Sequence, residues 1–220
     1  MTRVALLHTG AVVIGPIASA VRDALPDATV VNYLDDRIVA DLGDERRAAS
    51  VPERVADLVR AARRGGADVV MLTCSSISAL AGAAAEAVGI PVLRIDEAMA
   101  DDAVAYRRIA VVATLPTTLR PTVALLRERA ERAGAVVEIE ERLVVGAFDA
   151  VVSGDRDRHD ALVVAEIERV APGSDVVVLA QASMASAAEA AAVDVRVLSS
   201  VAPGVARLAQ HVSEQEGRDG

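Results

Sequence analysis

The chain has no lysine; each of its 23 basic residues is an arginine. That excludes a Schiff-base lysine, a lysine-anchored pyridoxal phosphate and a P-loop lysine. It has one cysteine, Cys74, so no internal disulfide can form. The three histidines, His8, His159 and His211, are scattered and build no Cys/His cluster of zinc-site spacing, so no metal is expected. Aromatic residues make up only 1% of the chain, which leaves the core to Ala, Val, Leu and Ile. No apolar run approaches the length that spans a bilayer. The opening MTRVALLHTG lacks the basic start, apolar stretch and cleavage site of a secretion signal. Excess acidity, a formal charge of -9, repels phosphate backbones and anionic membranes. The expectation is a cytoplasmic protein with no nucleic-acid or membrane partner. GAVVIG, Gly10 to Gly15, falls short of the full G-x-G-x-x-G spacing and argues against a dinucleotide site.

The chain is rich instead in apolar residues, a hydrophobic fraction of 53% arranged in short β-branched runs between helical patterns. Arg3 to Leu7, Thr29 to Asn32, Asp68 to Thr73 and Pro91 to Ile95 read as strands buried on both faces, with crossover helices at Pro16 to Leu25, Pro52 to Arg64 and Ile77 to Val88. The pattern then restarts. Strands are expected at Arg108 to Ala113, Val136 to Glu140, Asp175 to Ala180 and Val195 to Leu198. Helices are expected at Thr117 to Arg132, Arg158 to Val170 and Ala185 to Ala192. RVALLHT at Arg3 aligns with RIAVVAT at Arg108, and GADVVMLTC at Gly66 aligns with GSDVVVLAQ at Gly173, a repeat of roughly 106 residues, far longer than a solenoid unit.

The expected fold is therefore α/β: two similar lobes, each a small parallel sheet flanked by helices, pseudo-twofold related with a cleft between them. Lobe 1 is assigned to residues 1–98, joined by a C-terminal helix over 201–212, and lobe 2 to 99–200. The tail 213–220 is expected to be frayed.

Small polar residues follow the strands at matching places: His8 and Thr9; Cys74, Ser75 and Ser76; Thr114 with Thr117 and Thr118; Gln181 with Ser183. Several stand just before a helix, where free backbone N–H groups favour an anion such as a carboxylate. Each also has a plainer reading. A lone Cys is often a small buried hydrophobe, Ser and Thr are preferred helix N-caps, and a His ending a strand is more often structural. Asp35 and Asp36, after the second strand, read as solvated.

The strand ending in T-C-S-S at Thr73 to Ser76, the strand running into T-L-P-T-T at Thr114 to Thr118, and the repeat strand ending at Gln181 resemble the aspartate/glutamate racemase superfamily. Its members include glutamate, aspartate and hydantoin racemases, maleate isomerase and arylmalonate decarboxylase. The resemblance covers nearly the whole chain in element order and length. It implies cofactor-independent proton transfer next to a carboxylate, a homodimer, and a pair of catalytic cysteines, one per lobe. Cys74 matches the first. Ser75 and Ser76 stand where the family has donors to a carboxylate, and Thr114, Thr117 and Thr118 match the donors of the second lobe. The second cysteine is replaced by Gln181, whose amide cannot serve as acid or base near neutrality. The resemblance therefore implies a single-cysteine variant acting on a small carboxylate, with Cys74 as acid/base or nucleophile and His8, Thr9, Gln181 and Ser183 among the ligand contacts. A lyase related to arylmalonate decarboxylase and a non-catalytic binding protein are the alternatives.

Overall fold

A computed structural model describes residues Met1 to Asp219. The chain divides into two compact units, Met1–Ile95 together with the segment from Val201 on, and Asp96–Ser200.

In unit 1, β1 (Arg3–His8) is followed by α1 (Ile14–Ala24), β2 (Thr29–Leu34), the short helices α2 (Ile38–Leu42) and α3 (Glu45–Ala48), and the crossover α4 (Val51–Arg64). Next come β3 (Val69–Leu72), α5 (Ser75–Ser78), α6 (Ala81–Val88) and β4 (Val92–Arg94). All four strands are parallel, in the order β2-β1-β3-β4. The single helix expected over Ile77 to Val88 is two helices, with Ala79 and Leu80 between them.

Unit 2 opens with α7 (Glu97–Ala103) and continues with β5 (Arg108–Ala113), α8 (Pro116–Ala133), β6 (Glu138–Leu143), α9 (Ala147–Val152) and α10 (Arg156–Val170). It closes with β7 (Val176–Leu179), α11 (Ala185–Ala190) and β8 (Arg196–Leu198). Its parallel sheet has the order β6-β5-β7-β8. The strand expected at Val136 starts instead at Glu138, and Val136 is exposed.

The central strands are apolar throughout because both faces of each sheet are covered. In unit 2 the alternation is explicit. Ile109, Val111, Ala113, Val176, Val178 and Ala180 join one core with residues of α7 and α8. Ala110, Val112, Val177 and Leu179 join the other, with Val163, Ile167 and Val170 of α10. In unit 1, Ala5, Leu7, Val70 and Leu72 pack with Val51, Val55, Val59 and Ala62 of α4. The intervening Val4, Leu6, Val69 and Met71 are equally buried on the opposite face.

The likeness of the units extends to polar detail. The N–H of Arg3 donates to Asp68 Oδ2 at 2.7 Å and that of Arg108 to Asp175 Oδ2 at 2.8 Å, tying the start of each first strand to the residue ahead of the third.

The last helix, α12 (Val201–Asp219), belongs to unit 1, where it meets α1. Val205, Leu208 and Val212 bury its apolar side. The expected frayed tail over 213–220 is corrected: the helix runs on through Ser213 to Asp219. Polar anchors explain the extension, since Gln210 Nε2 donates to Glu214 at 2.8 Å and Thr2 Oγ1 to Glu216 at 2.8 Å. Gly220 lies outside the described residues. No described helix is long and apolar enough to cross a membrane.

Candidate functional site

In a parallel sheet of order 2-1-3-4, the chain leaves the first strand in one direction and the third in the other. The carboxyl ends of those two strands therefore border a crevice that no crossover covers. In unit 1 these ends carry His8 and Thr9 beside Thr73 and Cys74; in unit 2 they carry Thr114 beside Gln181. The register fixes this, because Thr73 N–H donates to Leu7 O and Ala180 N–H to Val112 O, each continuing its ladder by one residue.

The backbone turns alike at corresponding points. Cys74 leaves β3 at φ -129°, ψ 123° and opens α5; Gln181 leaves β7 at φ -132°, ψ 139° and opens a 3-10 turn over Ala182–Met184. Gly10 and Leu115, which follow β1 and β5, are likewise extended, at φ -157° and -137°. Gln181 thus occupies in unit 2 the local position that Cys74 occupies in unit 1.

Cys74 is partly exposed and packs against the α4–α6 side of its sheet. No hydrogen bond ties its thiol among the described residues, and it caps nothing with its side chain. Thr9 and Ser75 are buried, while Ser76 is half-buried. Alternation along the strands puts Thr9 on the same side as Cys74, whereas His8 and Thr73 lie on the other.

His8 is fully buried with both ring nitrogens engaged: Nε2 meets Asn32 Oδ1 at 2.9 Å and Nδ1 meets Thr73 Oγ1 at 2.8 Å. Burial lowers its pKa below the ordinary 6.5, and the Asn32 bond works the other way. The ring is therefore neutral near pH 7, and one tautomer satisfies both contacts. Nε2–H donates to Asn32, while Nδ1 accepts from the Thr73 hydroxyl. The Thr73 hydroxyl also lies 3.0 Å from Leu7 O, which loses nothing if that hydroxyl turns to His8, since it already accepts the Thr73 N–H at 3.1 Å. His8, expected among the ligand contacts, ties β1 to β2 and β3 through these bonds.

In unit 2 the Gln181 amide docks on Thr114. The Thr114 N–H donates to Oε1 at 2.6 Å, and Nε2 donates to Thr114 Oγ1 at 2.7 Å. One Nε2 hydrogen remains for another acceptor. Thr118 is buried, and the Thr117 hydroxyl, also enclosed, has no partner among the described residues. The α8 N-cap is Leu115, which supplies no side-chain cap, and Pro116 fills the first turn, where a missing N–H costs nothing. Ser183 is half-buried, and its carbonyl accepts from Arg156 Nη1 at 2.7 Å. Asp35 is not merely solvated: both its oxygens accept from Arg54, whose Nη1 also reaches Asp41 at 2.6 Å. Arg54 holds the Asp41 carboxyl below its usual range.

Asn32, Thr73 and Arg156 are the residues that sequence reasoning missed. Thr73 was legible in principle as the last residue before Cys74 on a strand whose neighbour ends in His8. Nothing in the sequence pairs Arg156 with Ser183. A depression of about 430 Å3 lined by Arg60, Arg63, Arg64, Ala87 and Val88 sits at the opposite, amino-terminal end of the unit 1 strands. No residue of the strand-end cluster reaches it. Among the described residues no group of His, Cys, Asp and Glu could hold a metal ion.

Duplicated four-stranded parallel sheets, with small polar residues at the carboxyl ends of their central strands and a thiol on one of them, define a two-unit α/β class. The chain belongs to the Asp/Glu/hydantoin racemase family, whose model matches residues 7–208. Solved structures agree in fold. Glutamate racemase from Francisella tularensis subsp. tularensis SCHU S4, in complex with D-glutamate, superposes with a TM-score of 0.79 at 15% identity, over 98% of this chain and 82% of that one. Allantoin racemase from Klebsiella pneumoniae gives 0.75 at 20% identity, over 98% and 89%. Arylmalonate decarboxylase gives 0.60 at 21% identity, over 94% and 92%. No curated protein sequence matches the chain significantly.

Proposed function

We propose that the chain is a cofactor-independent racemase- or isomerase-like enzyme acting on a small carboxylate, with Cys74 as its acid/base or nucleophile. The observation that carries this reading is the place of the lone thiol: at the carboxyl end of β3, beside the β1 crevice, partly exposed and tied to no other side chain among the described residues. A sulfur kept only for packing would be enclosed with the strand residues ahead of it. Thr9, Ser75 and Ser76, and in unit 2 Thr114, Thr117, Thr118, Gln181 and Ser183, supply hydroxyl and amide donors suited to a carboxylate. Cys74 removes a proton from, or returns one to, the carbon next to that carboxylate.

A lyase reading has its own support. Gln181 stands where a second thiol would be, and its amide neither gives nor takes a proton near neutrality. Loss of carbon dioxide from a malonate-like substrate leaves a carbanion that a single thiol protonates, the thiolate then recovering its proton from water. One thiol suffices for that, whereas exchange between two faces needs a donor on each.

The test is substitution of Cys74 by Ser or Ala, with turnover assayed over amino acids, hydantoins, unsaturated diacids and substituted malonates in deuterated water. Expected is a loss of at least about 100-fold in turnover, the usual range for a lost proton-transfer group, together with loss of deuterium at the reacting carbon. Undiminished turnover in either variant would overturn the reading.

A further inference from the structure

We infer that Arg156 is the carboxylate-receiving cation of unit 2, a specificity-determining residue for an anionic substrate; this rests on the proposed function in taking the ligand to be a small carboxylate. Arg156 opens α10, the crossover that leads into β7, and its guanidinium reaches the turn after that strand by donating to Ser183 O. Ser183 is two residues beyond Gln181, so the guanidinium lies at the carboxyl-end cluster itself.

Three observations set this arginine apart. First, it is half-buried yet meets no carboxylate, and Ser183 O is its one side-chain partner among the described residues. Three other half-buried guanidiniums are neutralised: Arg54 by Asp35 and Asp41, Arg129 by Glu97 and Asp101, Arg142 by Glu140 and Glu166.

Second, a cation at the first position of a helix faces the positive end of the backbone dipole, an arrangement that disfavours it. The Asp155 carboxylate already caps that helix end by accepting from the Arg158 N–H at 3.1 Å, so an anion placed there is held by the guanidinium.

Third, the guanidinium of Arg156 has no counterpart in the repeat. The buried stripe of α4, Val51, Val55, Val59 and Ala62, recurs at identical spacing in α10 as His159, Val163, Ile167 and Val170. The two helices are therefore corresponding crossovers, and in that alignment Arg156 falls on Ala48 and Arg54 on Leu162, so the guanidinium of Arg156 has no counterpart in unit 1. In the first turn of α4 the guanidinium of Arg54 is occupied by two aspartates. In the first turn of α10 that of Arg156 is left with four of its five N–H donors free, a fork suited to a bidentate carboxylate.

The test is calorimetric titration of the full chain with malonate and with uncharged malonamide, which needs no turnover. Expected is saturable malonate binding to the parent and a loss of about tenfold or more in affinity in Arg156→Gln, which corresponds to about 1.4 kcal/mol. Arg156→Lys should recover part of the loss. Arg158→Gln, on the exposed side of the same helix, should stay within about twofold, below a third of that free energy. If Arg156 only props the Ser183 turn, Arg156→Gln lowers the melting temperature and leaves malonate affinity intact. That outcome overturns the inference, and so does a parent that takes malonate and malonamide alike or neither. Retained turnover in Cys74→Ser is a separate failure, of the proposed chemistry, and leaves the malonate comparison standing.

Discussion

At the scale of residues, Cys74 and His8 end neighbouring strands yet face different surroundings. Cys74 leaves its strand at a half-open turn. His8 is enclosed by Asn32 and Thr73 and kept neutral by burial. Because its folded pKa lies below 6.5, the unfolded chain binds a proton here that the folded chain does not, at pH values between the two. Stability therefore rises with pH up to about 6.5 and falls on acidification below it. Urea midpoints measured from pH 7.5 down to 5 should decline for the parent, and His8→Gln should flatten the part of that decline due to this ring. The sequence placed both residues at strand ends. It did not reveal that one is walled in, because Asn32 and Thr73 reach the ring only once three strands align in register.

At the scale of elements, the most constrained contact is between α12 and the end of β4. Gly204 is buried within α12, although glycine inside a helix costs about 1 kcal/mol against alanine. A Cβ there would overlap the Ile95 carbonyl oxygen and side chain, so the helix axis must approach the strand end closely. Gly204→Ala is expected to reverse the usual gain, lowering stability by about 1–3 kcal/mol as an overpacking change. Chemical denaturation reads this directly, and a variant as stable as the parent would refute the close approach. The long strands and crossover helices were legible from their apolar periods. The short helices α2, α3, α7 and α9 were not, because one or two turns do not complete a periodic pattern. The continuation of α12 past Val212 is anchored in part by Thr2 holding Glu216, a pairing between opposite ends of the chain that no local pattern encodes.

At the scale of the whole molecule, the duplication makes each unit a reference for the other. Differences without a packing reason stand out: Cys74 against Gln181, Val51 against His159, and Ala48 against Arg156, whose side-chain partner among the described residues is a carbonyl. His159 is fully buried where its counterpart is valine. Asp160 holds its Nδ1 at 2.7 Å, and its Nε2 is enclosed with no partner among the described residues. Because Nδ1–H donates to that carboxylate, Nε2 is left as an acceptor, and an unmet buried polar group costs roughly 1–3 kcal/mol, more than a half-exposed hydrogen bond returns. His159→Val, similar in size and already accommodated in α4, should therefore raise the melting temperature by about 2–4 °C. A lower melting temperature would show that the imidazole is satisfied in solution.

The sequence by itself determined the α/β class, the duplication, the central strands and the positions of Cys74, Thr114 and Gln181 at strand ends. All of these come from apolar periodicity and from one segment aligned with another. Only the tertiary structure decided which polar groups are already engaged: His8 by Asn32 and Thr73, Asp35 by Arg54, Gln181 by Thr114, and Arg156 by nothing more than a carbonyl. Such pairings join residues tens of positions apart. They depend on register and on the direction a side chain leaves its strand, and neither is fixed until the sheets assemble.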